Sequence, residues 1–364
     1  HLMPSHRERR LVAVFTVTTM LALAGPAMAD PCDRSTVYQP PSYPQRIDID
    51  AQRPQDLRII DLDGDGHPDL LFTTSGASSG LWVRYGDGPS SFGPDTLILS
   101  ETALVDFDVS DVDGDDHLDV VTIASTGGFL PIDYDLMTFR SNGDRTFTPS
   151  TSVLIDGFDG SLFGVGGLIL VDVNGDSSPD AVIAAESSVR VLAGLGDGTF
   201  LDTENDAEAF VFPTAVPESV VAGDLDDDGD LDIVVGGDVR YRAYLSDGAG
   251  TLTPLAEVAE QGNDARLADL DNDGDLDLVT IRVSAAVLVH EGDGLGGFQP
   301  PIELGTAPTP ESLDVADLDS DGIPDIVFTN GQQSGDLTVI LDPLAASPDL
   351  RRYVYEPTSS GLLL

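Results

Sequence analysis

Val220-Val221-Ala222-Gly223-Asp224-Leu225-Asp226-Asp227-Asp228-Gly229-Asp230-Leu231-Asp232-Ile233-Val234-Val235 places a nine-residue acidic loop between two short apolar runs. The same grammar occurs five more times, with loops at 61–69, 111–119, 172–180, 269–277 and 317–325. Successive loops begin 50, 61, 52, 45 and 48 residues apart. A second feature keeps phase with the first. A Gly/Asp turn follows each of the first five loops (Gly86-Asp87-Gly88, Asn142-Gly143-Asp144, Gly196-Asp197-Gly198, Asp247-Gly248, Gly292-Asp293-Gly294), with Phe92, Phe147, Phe200, Leu252 and Phe298 shortly after. The sixth repeat has Asp342-Pro343 in that place. Two features in register at a period near fifty residues define a repeat architecture.

Within each repeat the apolar runs are short, β-branched and bounded by turn residues, which predicts strands. Repeat four reads as Ser219–Ala222, the loop, Ile233–Val235, Tyr241–Leu245, the Asp247-Gly248 turn, then Leu252–Val258. That is four strands. The strand after each loop, such as Leu70-Leu71-Phe72 or Ala181-Val182-Ile183, is apolar at every position and therefore covered on both faces. Four-stranded units stacked side by side in a β-propeller satisfy this pattern. The expectation is an all-β fold of six four-stranded blades, with an irregular seven-bladed ring as the alternative. Gln45–Asp50 resembles a lone fourth strand and Arg352–Tyr355 the fourth strand of repeat six, and both compete to close the ring.

The loops carry the chemistry. Positions 1, 3, 5, 7 and 9 are Asp61, Asp63, Asp65, His67 and Asp69 in loop one and Asp111, Asp113, Asp115, His117 and Asp119 in loop two. Loop three has Asp172, Asn174, Asp176, Ser178 and Asp180, and loop four Asp224, Asp226, Asp228, Asp230 and Asp232. Loop five has Asp269, Asp271, Asp273, Asp275 and Asp277, and loop six Asp317, Asp319, Asp321, Ile323 and Asp325. Calcium takes six to eight oxygens, and alternate residues of a tight loop aim theirs at one centre, with position 7 giving its backbone carbonyl. Position 6 is Gly66, Gly229, Gly274 or Gly322, with Asp116 and Ser177 in loops two and three, and it should take positive φ. An EF-hand would place Glu at position 12, but Phe72, Thr122, Ile183, Val235, Thr280 and Phe328 stand there. Magnesium prefers a stricter octahedron and retained water, and zinc would ask for His or Cys side chains. Ordinary solvated Asp-Gly turns would explain one such loop but not six at fixed spacing, because clustered carboxylates repel without a cation. Up to six calcium ions are expected.

These residues resemble the calcium-bearing core of FG-GAP and VCBS repeats, which build integrin-α-like propellers and many bacterial extracellular proteins. The resemblance covers about Asp56 to Asp342. It implies that side chains at positions 1, 3, 5 and 9 and the carbonyl at 7 hold calcium. Phe163-Gly164 matches the Phe-Gly element once, yet no Gly-Ala-Pro occurs, which favours the bacterial VCBS-like branch. The implied function is extracellular binding or adhesion toward a protein or polysaccharide ligand. The alternative is a calcium-dependent polysaccharide lyase or hydrolase.

Basic Arg7, Arg9 and Arg10, apolar Leu11–Ala24 and the site Ala27-Met28-Ala29 read as a secretory signal peptide. The expected organisation is a leader at 1–29, an N-terminal segment at 30–55, the propeller at 56–345, and a C-terminal strand and tail at 346–364. The destination is extracellular, cell-surface or periplasmic, with no transmembrane segment and a monomeric chain. The lone Cys32 leaves no internal disulfide. A formal charge of −47, with 17 basic residues that are all Arg, sets nucleic acid and anionic membranes aside as partners.

Two motifs suggest catalysis and fail on context. Gly76-Ala77-Ser78-Ser79-Gly80 matches a nucleophile elbow but leads into a predicted strand, Leu81–Tyr85, where the elbow needs a helix. Gly292-Asp293-Gly294-Leu295-Gly296-Gly297 matches a dinucleotide fingerprint, but Phe298-Gln299-Pro300-Pro301 follows in place of a helix. His290 beside Glu291 reads as structural.

Loop four has six acids, and loop three has three, with Asn174 in place of an Asp and no Gly at position 6. In calcium-saturated thermal melts Asp226→Ala should therefore lower the melting temperature more than Asn174→Ala. Equal effects would refute the ranking.

Overall fold

The computed structural model describes residues 53–75, 79–88, 91–100, 104–125, 134–150, 152–155, 165–185, 188–207, 217–237, 240–260, 264–282, 286–304, 310–318, 321–330, 336–345 and 348–353. The expected leader, the strand expected over Gln45–Asp50 and the Phe163-Gly164 element lie outside them. Among the described residues all the regular elements are strands, forming six antiparallel sheets in chain order, the blades of a β-propeller. Among the described residues no helix is long and apolar enough to cross a membrane.

Blade one is β1 (Arg53–Ile60), β2 (Asp69–Ser75), β3 (Gly80–Gly88) and β4 (Ser91–Leu99). Blade two is β5 (Leu104–Ser110), β6 (Asp119–Ser125), β7 (Tyr134–Ser141), β8 (Phe147–Pro149) and β9 (Val153–Ile155). Blade three is β10 (Val165–Val171), β11 (Asp180–Ala185), β12 (Ser188–Gly194) and β13 (Phe200–Ala207). Blade four is β14 (Pro217–Gly223), β15 (Asp232–Gly237), β16 (Tyr241–Ser246) and β17 (Leu252–Pro254). Blade five is β18 (Ala265–Ala268), β19 (Asp277–Arg282), β20 (Ala286–His290) and β21 (Ile302–Leu304). Blade six is β22 (Pro310–Ala316), β23 (Asp325–Asn330), β24 (Asp336–Leu341) and β25 (Asp349–Tyr353). Blade one falls in one compact unit and blades two to six in a second.

Four strands per repeat is the rule, and proline trims the outermost. In blade two, Pro149 ends β8, and the chain resumes pairing with β7 as β9. In blade four the strand expected over Leu252–Val258 stops at Pro254, and Val258 returns only as an isolated bridge to Tyr241. Proline has no N–H to give to a ladder, so it is tolerated at such an edge but shortens it. The strand expected at Arg352–Tyr355 is β25, which begins three residues earlier at Asp349 and pairs with β24.

The second strand of each blade is the core. In blade three, Ala181 and Ile183 on β11 face a cluster with Val121, Ile123 and Leu136 of blade two. The alternate residues Val182 and Ala184 face Val220, Ile233 and Val235 of blade four. The pattern continues. Val234 and Leu278 join blades four and five, and Val279 and Ile326 join blades five and six. Side chains alternate across a strand, so an uninterrupted apolar run serves two interfaces at once. Fully burying each Val, Leu or Ile contributes about 1.5–3 kcal/mol.

Ile233 is fully buried and Leu195, at a turn tip, is 54% exposed. In urea unfolding, Ile233→Ala should cost about 2–5 kcal/mol and Leu195→Ala less than about 0.5 kcal/mol. Similar costs would contradict the assignment of β15 as a two-faced core strand.

Candidate metal centre

Each loop spans the gap between the first and second strands of its blade, and its own carboxylates set its shape. The position 1 Asp accepts the position 6 N–H through Oδ2 in all six loops, at 2.7–3.1 Å. The position 5 Asp accepts the position 7 N–H through Oδ1 at 2.8–2.9 Å. These bonds wind the chain tightly enough to require left-handed backbone. Position 6 has positive φ in every loop, including Asp116 at 67° and Ser177 at 71°. Position 4 does too wherever it is described, at Gly64, Gly114, Gly175, Asp227 and Asn272. The second conformation was not anticipated from the sequence, although Gly, Asn and Asp are the types that tolerate it.

Position 9 has a further duty. Its Asp is buried in every loop, and both oxygens are engaged. Oδ2 accepts the N–H of position 2 at 2.8–3.1 Å, on Leu62, Val112, Val173, Leu225, Leu270 and Leu318. Oδ1 accepts an N–H from the end of the third strand at 2.7–3.2 Å, on Gly86, Ser141, Gly194, Ser246, Gly292 and Asp342. This clasp explains why the Gly/Asp turn keeps phase with the loop. At Gly86, Gly194 and Gly292 a Cβ would lie 2.1–2.5 Å from the carbonyl oxygen of position 8, so only glycine fits.

Carboxylate atoms of four loops converge, those of Asp69 and Asp232 among them. Asp61, Asp63 and Asp69 bring ligand atoms within 4.8 Å of one another, as do Asp111, Asp113 and Asp115, Asp224, Asp226 and Asp232, and Asp269, Asp271 and Asp273. Within these groups the Oδ1 atoms of Asp61, Asp113, Asp224 and Asp226 are buried with no hydrogen-bond partner. Burial, reinforced by neighbouring carboxylates, holds Asp113, Asp226 and Asp271 above the ordinary carboxylate range. Burial also raises Asp69, Asp180, Asp232 and Asp277, and pushes Asp119 to about 6, against the pull of their backbone N–H donors. Desolvated, unpartnered anionic oxygens are costly, and a hard cation is the group that would satisfy them.

The loops are not alike. In loop three Asn174 donates from Nδ2 to Asp180 Oδ1 at 3.1 Å and accepts the Asp176 N–H, so an amide fills the space a third acid takes elsewhere. Asp319 of loop six lies outside the described residues. The position 7 side chains lie toward the turn of their own blade: the His117 ring approaches Gly143, Ser178 approaches Gly196, and Asp230 and Asp275 approach Gly248 and Gly294.

Of the two catalytic look-alikes, residues 76–78 of the first lie outside the described residues, and the second is a turn. Gly292–Gly297 is a hairpin turn closed by Asp293 N–H to Gly297 C=O, and no helix follows it. Gly80 opens β3. His290 is fully buried, with Nδ1 3.2 Å from the Tyr241 hydroxyl, and burial lowers its pKa to about 4. It is a neutral core residue at physiological pH.

A family model described as FG-GAP-like repeat matches residues 61–122, 172–235, 224–280 and 269–328, together more than half of the chain. Among solved structures the chain is similar to an Agrocybe aegerita lectin studied for specific recognition of non-reducing terminal N-acetylglucosamine. That likeness has 22% identity and a TM-score of 0.57, over 82% of this chain and 79% of the other. A functionally unknown protein from Desulfotomaculum acetoxidans is similar at 13% identity and TM-score 0.55, over 82% and 85%. The Pseudomonas aeruginosa periplasmic gluconolactonase is similar at 13% and 0.53, over 79% and 86%. At these identities the likeness is one of fold. No curated protein matched.

Asp232→Ala removes acceptors from two buried N–H groups and should cost about 2–4 kcal/mol even in calcium-free buffer. Asp230→Ala, which leaves the clasp intact, should change stability by less than about 0.5 kcal/mol. Chemical denaturation compares them, and equal costs would contradict the clasp.

Proposed function

The chain belongs to the FG-GAP-like repeat family, and on that premise we propose that it is an exported calcium-binding β-propeller serving as an extracellular binding or adhesion module. One observation carries the metal assignment. Acidic triads recur in four loops, with buried, unpartnered carboxylate oxygens in three of them. The donor set is oxygen alone, on a tightly wound loop, which suits calcium better than zinc or magnesium.

In this reading the side chains at positions 1, 3, 5 and 9 and the position 7 carbonyl hold the ion. Loops one, two, four and five are the principal sites, and loops three and six complete the six. The bound ion supplies positive charge and rigidity. The protein's own contribution is to hold the loop in its wound form through the position 1 and position 5 bonds and to tie it to the blade through position 9.

The leader-like segment at 1–29 supports export, where free calcium is plentiful and disulfides are the commoner staple. With one cysteine, metal sites take the role that cross-links fill elsewhere. The ligand is a protein or a polysaccharide. The charge of −47 and the absence of Lys favour a neutral or cationic ligand over a sulfated one.

Calcium should then be part of the protein's stability. Extracellular modules bind calcium with dissociation constants on the order of 0.1–1 mM. At about 1 mM free calcium and a constant of about 0.1 mM, each site contributes roughly 1.4 kcal/mol, and four sites about 6 kcal/mol. Excess chelator should lower the melting temperature by more than about 5 °C, with recovery in calcium but not in equal magnesium. A melt indifferent to chelation would sink the metal assignment. Glycan-array and cell-binding assays with and without calcium test the module itself, and loss of binding on chelation is the expected result.

A further inference from the structure

Arg140 sets loop two apart from the other loops. It lies on β7, immediately before Ser141, whose N–H meets the position 9 carboxylate. The corresponding residues of the other blades are Tyr85, Ala193, Leu245, Glu291 and Leu341, none of them cationic. In blade four Leu245 packs beneath the turn of the next blade, where a Cβ on Gly296 would meet its Cδ2 at 2.5 Å. The stem of Arg140 does the same beneath blade three, where a Cβ on Gly198 would meet its Cδ at 2.6 Å. The packing task is therefore common to both, and the charge is what blade two adds.

That charge is aimed at the loop. Arg140 Nη1 lies 3.5 Å from Asp113 Oδ2, the position 3 carboxylate, whose side chain is 13% exposed. The other oxygen of Asp113 is buried with no hydrogen-bond partner and belongs to the triad with Asp111 and Asp115. The Arg140 side chain is 38% exposed, its Nε is buried without a hydrogen-bond partner, and its Nη1 faces the carboxylate. A positive charge here, screened in part by solvent, offsets some of the repulsion among the three acids and repels an arriving divalent ion.

We infer that Arg140 is a resident counter-cation that tunes loop two, giving it weaker calcium affinity than loop four and letting it keep its wound form when calcium is withdrawn. This rests on the calcium reading above. It makes Arg140 an affinity-determining residue rather than a ligand, and it divides the loops into a class that depends wholly on the ion and one that carries part of its own neutralisation.

Amide hydrogen exchange read by mass spectrometry resolves the loops separately. In a calcium titration of the full chain, peptides covering 111–119 and 224–232 should both gain protection, with the loop-two midpoint at higher calcium. Arg140→Leu should lower the loop-two midpoint by about fivefold and leave loop four unmoved, which also certifies the fold. Arg140→Lys, which keeps the charge, should stay near the wild-type midpoint. With calcium chelated, loop two of the wild type should exchange more slowly than loop two of Arg140→Leu. An unchanged or raised midpoint in Arg140→Leu, or equal shifts in the Leu and Lys variants, would overturn the inference. If neither peptide responds to calcium, the metal assignment falls and this inference with it.

Discussion

A carboxylate buried to 0–2% exposure at the root of each blade is the constraint on which the rest of this structure depends. An ionised group so placed is unfavourable unless its oxygens are matched, and the position 9 Asp is matched by two backbone N–H groups from different parts of the blade. One belongs to the loop and the other to the far end of the third strand. The acid therefore fixes where the loop leaves the first strand and where the third strand must turn. It also lifts the loop's remaining acids into a small volume, where their repulsion calls for a cation.

The same residues connect the loop to the neighbouring blade. Position 2 gives its N–H to the position 9 Asp, buries its side chain in loops one to five, and offers its carbonyl outward. The turn of the following blade donates to that carbonyl from Gly198 to Val112 and from Gly296 to Leu225, and the Ser246 hydroxyl donates to Val173. Loop geometry and blade packing thus share one residue. Through that residue, the proposed ion, in stiffening a loop, would also steady the interface beside it without any long-range pathway.

Fold class was legible in the sequence because two periodicities agree: apolar runs of strand length and a loop-plus-turn signature every fifty residues or so. The continuous apolar character of β11 and its counterparts stated that two faces are buried, and the clusters on either side of Ala181–Ala184 are that statement in three dimensions. What pattern could not show was the outer edge, where Pro149 and Pro254 cut strands short without disturbing the hydrophobic rhythm. The candidate site was legible as a row of closely spaced acids, and the acids of four loops do come together. Spacing marks Asp232 as one more acid in a row, and nothing local says that its two oxygens are tied to Leu225 and Ser246. Arg140 was invisible for the same reason, since it stands well away from Asp113 in the chain and approaches it only once β6 and β7 pair.

The account turns on whether the converging acids enclose a calcium ion, and diffraction from calcium-grown crystals at a wavelength where calcium scatters anomalously tests this most directly. The account predicts anomalous peaks in loops one, two, four and five, each with Asp oxygens at about 2.3–2.6 Å and with the position 7 carbonyl among the ligands. Loops at saturating calcium with no peak, and with Asp61, Asp113, Asp224 and Asp226 swung out to water, would contradict it.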